Sequence, residues 1–198
     1  MSIISGLKIA KGSEWLRPVF TKMRGVVETL NEWNKEPCYW NNETASVSLL
    51  ISAAAKARFF GVADYRRYKR KSGQDSNGRC DLLIGTDTNW LEIEAKQIYV
   101  GPKTRTARSA LQNACADAKT LWGCSRRAGL LFVVASLSKS RALTIDCRVF
   151  QEAAYDLYEK SKASLLWYWY DNNAKDSFYR STVTDRQYPG FAIVLKKF

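Results

Sequence analysis

The chain has 198 residues, with 31 Lys and Arg against 19 Asp and Glu, for a formal charge of +12. That length suits one well-buried domain, and the charge excess favours a polyanionic partner. Histidine is absent, which excludes Ser-His-Asp hydrolases, Cys-His proteases, His-ligated zinc hydrolases and histidine-based nucleases. Any hydrolysis has to use carboxylates, lysine, hydroxyls, thiols or a bound metal.

The cysteines, Cys38, Cys80, Cys115, Cys124 and Cys147, are odd in number and form no CxxC pair. They read as free thiols of a reducing compartment, so a cytoplasmic location is expected. No stretch approaches the roughly 20 apolar residues of a membrane span. The opening MSIISGLKIAKGSEW is too polar for a secretory signal.

In chain order, Ser13 is a good N-cap for a helix over 13–35, with a stripe of Trp15, Leu16, Phe20, Met23, Val27, Leu30 and Trp33. Pro18 is tolerated only near its start, and it reads as a packing helix. Asn41-Asn42 caps a second helix from Glu43 to about Phe60, with Val47, Leu50, Ile51 and Ala54 buried and Gly61 as its stop. Glu43 in the first turn is explained by the helix dipole; the sharper alternative makes it a metal ligand.

Gly61–Lys71 reads as a strand running into a basic segment. It carries Arg66, Arg67, Lys69, Arg70 and Lys71, interleaved with Tyr65 and Tyr68. That pattern neutralises phosphates and offers rings for stacking, although a charge run alone is equally a solvated loop. Ser72–Gly78 is predicted to be a loop.

Arg79–Gln97, RCDLLIGTDTNWLEIEAKQ, predicts a β-hairpin: Leu82-Leu83-Ile84, a turn over Gly85–Asn89, and an alternating run from Trp90 to Val100. Alternation puts Trp90, Glu92, Glu94 and Lys96 on one face, and Leu91, Ile93, Ala95 and Gln97 on the other. Asp81 can approach Glu94 across the hairpin. Two carboxylates and an ammonium on one patch could hold a hard divalent cation with a water beside it. The bland alternative is a set of exposed ion pairs of little energetic value.

Beyond Gly101-Pro102, Thr106–Trp122 predicts a helix with Ala107, Ala110, Leu111, Ala114, Cys115 and Ala118 on its packing face. Lys103, Arg105 and Arg108 cluster at its start, where free amides attract phosphate. Ala128–Ala135 is apolar throughout and reads as a central strand covered on both faces. A helix over Phe150–Lys162, an aromatic strand over Leu165–Tyr170 and a closing strand over Gly190–Phe198 follow. The pattern is α/β with a central mixed sheet flanked by helices, in a single domain 1–198. It divides into a core at about 42–135, an N-terminal helix at 13–35 and a C-terminal helix-plus-strands extension at 148–198.

Asp81 followed by Glu94-Ala95-Lys96, set on a hairpin between two helices, resembles the PD-(D/E)xK nuclease superfamily. Its restriction-endonuclease-like core runs helix, three strands, helix, strand, and residues 42–135 read in that order, about half of the chain. Cys80 stands where the family name has proline. Gln112 resembles the helix glutamine of RecB-like nucleases, but the tyrosine expected four residues on is Ala116, so the chain is not placed in that branch.

The resemblance implies a Mg2+-dependent DNA endonuclease, with Mn2+ as a substitute ion. Asp81 and Glu94 would coordinate the metal, with the Ala95 carbonyl and Glu43 as further ligands and Glu92 able to recruit a second ion. Lys96 would position or deprotonate the attacking water, or stabilise charge on the phosphate. Arg66, Arg67, Lys69, Arg70, Lys71, Arg79, Lys103, Arg105 and Arg108 would contact the nucleic acid. A homodimer stays open. Two other functions also stay open: a non-catalytic nucleic-acid-binding protein of the same or a similar fold, and a basic module for an acidic partner or membrane surface.

Overall fold

A computed structural model describes residues 3–34, 37–100, 105–123, 125–138, 147–171 and 186–198. The apolar run Arg127–Ala135 forms a strand, β5, in which Ala128 through Ala135 are all buried. A strand without a polar face needs cover on both sides. Leu130, Phe132 and Val134 point into one core, completed by helices α1 (Arg17–Asn34) and α2 (Glu43–Lys56). Leu131, Val133 and Ala135 point into a second core under α3 (Arg105–Thr120) and α4 (Cys147–Ser161). Helices therefore lie on both faces of one sheet.

That sheet has seven strands. They are β1 (Ile3–Ile9), β2 (Phe60–Lys71), β3 (Gln74–Gly85), β4 (Trp90–Val100), β5, β7 (Leu165–Asp171) and β9 (Gly190–Lys197). Their order is β1-β7-β9-β5-β4-β3-β2, so β5 lies at the centre as its composition demands. β4 and β5 run parallel, joined through α3, and every other neighbouring pair is antiparallel. The two short strands β6 (Leu137–Ser138) and β8 (Arg186–Gln187) pair with each other outside the sheet. From α2 to β5 the chain runs helix, three strands, helix, strand, as expected from the sequence.

Three details differ from expectation. β1 extends the sheet at an edge, pairing with β7 from Ile3↔Asp171 to Ile9↔Leu165. α2 ends at Lys56, where Arg58 takes the left-handed conformation (φ 63°) expected of Gly61. Gly61 instead lies in β2, where an added Cβ would sit 3.2 Å from Ile51. Ser72–Gly78 is not a loop. Ser72 and Gly73 both have positive φ, 52° and 79°, and close a two-residue turn between the paired residues Lys71 and Gln74. The strands of the C-terminal extension, β7 and β9, continue the central sheet.

The alanines of α3 let it lie close on the sheet: Ala107, Ala114 and Ala118 are buried. At Gly129 of β5 a Cβ would fall 2.5 Å from the Cys115 amide nitrogen. That neighbour is helix backbone, so α3 as a whole would have to move. Gly129→Ala is expected to cost about 1–3 kcal/mol by overpacking, which lowers the Tm by roughly 3–10 °C in a chain of this size. Thermal unfolding checks it; an unchanged Tm would mean that α3 is not held this close.

Candidate active site

β3 and β4 pair only from Leu82↔Ile93 to Gly85↔Trp90. Past Leu82, β3 leaves β4 and continues with β2 as a two-stranded arm out to the Ser72-Gly73 turn. β4 goes on alone along that side, although its other side stays paired with β5 through Val100. The amides of β4 alternate in direction: that of Glu92 donates to Arg126 O on the β5 side, so those of Ala95 and Gln97 face the gap left by β3. An unpaired backbone amide there is costly. Two carboxylates fill the role of the missing strand.

Asp81 Oδ2 accepts the Ala95 amide at 2.7 Å. Glu43, from the first turn of α2, is stabilised as a carboxylate by the Gln97 amide. The Ala95 carbonyl leaves the strand on the same side as its amide. Asp81 thus approaches β4 at the Ala95 amide, and its charge is felt by the neighbouring Glu94. Glu43 joins them from the opposite helical layer.

The Gln97 side chain ties β4 to the start of α2. Ser46 Oγ of α2 donates to Gln97 Oε1 at 2.7 Å. Gln97 Nε2 donates to Tyr39 O at 3.3 Å and to Tyr99 Oη at 2.9 Å, and Tyr99 Oη donates to Trp40 O at 2.5 Å. Asn42, the α2 N-cap, accepts the Ala45 amide through its side chain at 2.8 Å. The start of α2 is thus pinned to β4 by hydrogen bonds on both sides of Glu43.

On the α3 face, Glu92 and Glu94 are almost fully covered, at 4% and 3% exposure. Buried carboxylates need partners, and the arm supplies them. Alternation on β2 turns Tyr65, Arg67 and Lys69 inward. Arg67 Nε sits 3.0 Å from Glu92 Oε1, and Lys69 Nζ sits 2.8 Å from Glu94 Oε1. The second contact is an ion pair at an angle that leaves Glu94 Oε1 without a hydrogen bond. Burial pushes the Glu94 carboxyl up to about 7, with Lys69 pulling it back and Asp81 adding to the rise.

Burial and the Asp81 charge also raise Glu43, against the pull of Lys96 and the Gln97 amide. Lys96 pairs with Asp117 of α3 at 3.1 Å. Burial opposes its charge, but Asp117, Glu43 and Asp81 outweigh that and hold its pKa above the ordinary lysine value. The Tyr65 hydroxyl is buried beside Cys80 and Glu92; burial, then the Cys80 and Glu92 charges, hold its pKa up. Burial likewise pushes the Cys80 thiol up to about 11, in keeping with its place wholly inside the core.

The nine cations expected to meet nucleic acid divide into groups. Arg67 and Lys69 are spent on Glu92 and Glu94. Arg70 pairs with Asp75 at 2.5 Å, and Arg79 pairs with Asp64. Arg66, Lys71 and Arg108 are exposed, and no acidic partner among the described residues takes them. Lys103 and the side chain of Arg105 lie outside the described residues.

Sequence reasoning missed Asp117. It is the one acid of α3 and lies beside the buried Ala118 on the helix's alanine stripe. That position was the available signal.

Among the described residues, no three Cys, Asp or Glu side chains converge tightly enough to hold a metal ion as they stand. Asp81 is turned to an amide and Glu94 to Lys69. The donor chemistry nevertheless suits Mg2+, which takes hard oxygens and keeps several waters. The Asp81 charge raises both Glu43 and Glu94, a repulsion that a divalent cation between them would relieve.

The Glu94 shift has a consequence for stability. The folded chain holds this proton up to about pH 7, whereas the unfolded chain releases it near the ordinary value of 4.5. The folded state binds more protons in that window, so its stability falls as pH rises from about 4.5 to about 7. Glu94→Gln, which keeps the neutral shape, should match wild type in urea unfolding at pH 5. At pH 8 it should be more stable by on the order of 2–3 kcal/mol; an equal difference at both pH values would refute the assignment. No protein-family model, curated protein or solved structure matches the chain.

Proposed function

We propose that the chain is a Mg2+-dependent nuclease, with DNA as its substrate and the opening between β3 and β4 as its active site. One observation carries this reading. Where β3 parts from β4, Asp81 takes the Ala95 amide between Glu94 and Lys96, and Glu43 of α2 faces the next free amide, so that burial and the Asp81 charge raise both glutamates. Charge clusters of this kind mark functional sites. The element order from α2 to β5 agrees with the restriction-endonuclease-like core, and we extend the reading to that fold. The +12 charge accords with a polyanionic substrate, and a cytoplasmic location belongs to the same proposal. Among the described residues no helix is long and apolar enough to cross a membrane.

Asp81, Glu94, the Ala95 carbonyl and Glu43 are the groups that would hold Mg2+, which supplies polarisation of the phosphate and a more acidic bound water. Hydrolysis forms a bond from the water oxygen to phosphorus and breaks one phosphorus–ester oxygen bond. The proton lost by the water passes through solvent to the departing alkoxide. Lys96, whose charged form Asp117, Glu43 and Asp81 favour, is the group that stabilises negative charge gathering on the phosphate oxygens. The Gln97 amide holds the Glu43 carboxylate, the Ser46–Gln97 hydrogen bond ties α2 to β4, and Asp117 fixes the Lys96 ammonium.

The Lys69–Glu94 pair favours a second reading, in which the same surface binds nucleic acid without cutting it, because an internal cation already neutralises the carboxylate. Cleavage assays separate the two. Purified protein with Mg2+ is expected to cut at least one of plasmid, linear duplex, single-stranded DNA or RNA, and EDTA should stop it. Asp81→Ala and Lys96→Ala should each lower the rate roughly a hundredfold or more. If wild type binds these substrates but leaves all of them intact, the binding reading replaces the nuclease.

A further inference from the structure

The arm has a second face that the proposed chemistry does not use. Tyr65, Arg67 and Lys69 look inward to Glu92 and Glu94, so the same alternation turns Arg66, Tyr68 and Arg70 outward. Tyr68 is 57% exposed and makes no ring contact among the described residues. Beside it stands Trp122, 48% exposed, just past the end of α3.

The two rings are held on a rigid base. The Trp122 amide donates to Tyr68 O at 3.0 Å, and Lys69 and Leu121 form a β-bridge. The Arg70 guanidinium lies 4.5 Å over the Trp122 ring and is fixed in turn by both oxygens of Asp75, at 2.5 and 2.9 Å. The charge around the rings is unbalanced. Arg66 stands directly opposite Arg79 in the ladder, a like-charge pairing that costs stability. Asp64 relieves Arg79, but among the described residues no acid relieves Arg66, nor Lys71 at the tip.

Two large aromatic surfaces left in water beside unrelieved cations suit a ligand with flat apolar faces and anionic links. Unpaired nucleotides have both; a duplex shows proteins the edges of its bases and keeps their faces stacked inside. We infer that the outward face of the arm, Tyr68, Arg70 and Trp122 flanked by Arg66, is a stacking platform for single-stranded nucleic acid. Bases stack on Tyr68 and on Trp122, while Arg66 takes a phosphate. The platform rests on the nucleic-acid part of the proposed function and not on its catalytic part. It names the substrate class as one with unpaired bases.

The test uses the full chain in EDTA, which keeps any cleavage out of the measurement. Fluorescence anisotropy reads binding to labelled oligothymidylate and to a duplex of equal length. Wild type is expected to prefer the single strand. Tyr68→Ala and Trp122→Ala should each weaken single-strand binding roughly fivefold or more and leave duplex binding unchanged. Tyr68→Phe and Trp122→Phe should retain affinity, which separates loss of stacking from loss of the fold. The platform is overturned if the alanine variants leave single-strand affinity unchanged, if both substrates weaken alike, or if wild type binds neither. Normal single-strand binding together with no cleavage in Mg2+ would remove the nuclease reading and leave the platform standing.

Discussion

The site depends on one departure from regular pairing: β3 leaves β4 after Leu82↔Ile93, although β4 still runs seven residues to Val100. A strand edge inside a covered sheet cannot be left with bare amides. Asp81 and Glu43 take over that edge, and this requirement brings an acid from β3 and an acid from α2 to the same few ångströms of backbone. The carboxylates are thus a structural answer to the divergence before they are anything else. Chemistry becomes available because their geometry is already fixed, and because Lys96 and Glu94 project from the residues on either side of Ala95.

Charge follows from the same divergence. An arm freed from β4 can curl over the α3 face, and its inward residues then lie on Glu92 and Glu94. A buried carboxylate without a counter-charge would be untenable, so the arm and the two glutamates stabilise each other. Much of the basic run on β2 that looks like a phosphate-binding stripe is therefore internal. What reaches solvent is the other half of the alternation, Arg66, Tyr68 and Arg70. Strand periodicity divides one charge run into a structural half and a surface half.

Much of this was legible in the sequence where a periodic pattern had a single physical meaning. Ala128–Ala135 has no polar face, so a central, doubly covered strand follows, and the alternation of Trp90–Val100 gives the true faces of Glu94, Lys96 and Gln97. The turn over Gly85–Asn89 and the Asn42 cap follow from local chemistry. Contacts between elements distant in sequence were not legible: Lys96 with Asp117, Lys69 with Glu94, and Gln97 with Ser46. Each needs the register of the arm or the tilt of a helix, which no local signal carries. Gln74–Gly78 misled because its polar, turn-forming residues form a solvent-exposed arm, where no hydrophobic face announces a strand. β1 escaped notice for a related reason, since an edge strand with half-covered residues lacks a clean period.

The two lysines nearest the carboxylates show how environment divides a role between like residues. Lys69 comes from the arm and meets Glu94 alone, at 2.8 Å and largely covered, so its charge is matched one to one. Lys96 is more exposed and answers to three acids, Asp117, Glu43 and Asp81, so the surrounding charge at that point is negative even with the ammonium in place. An added cation gains most where negative charge exceeds positive, which is beside Asp81 and Glu43 and not at the matched Lys69–Glu94 pair. Glu94 sits between these regimes. Its high pKa records that one lysine does not fully compensate burial and the Asp81 charge, so any further positive charge brought to the opening must lower it.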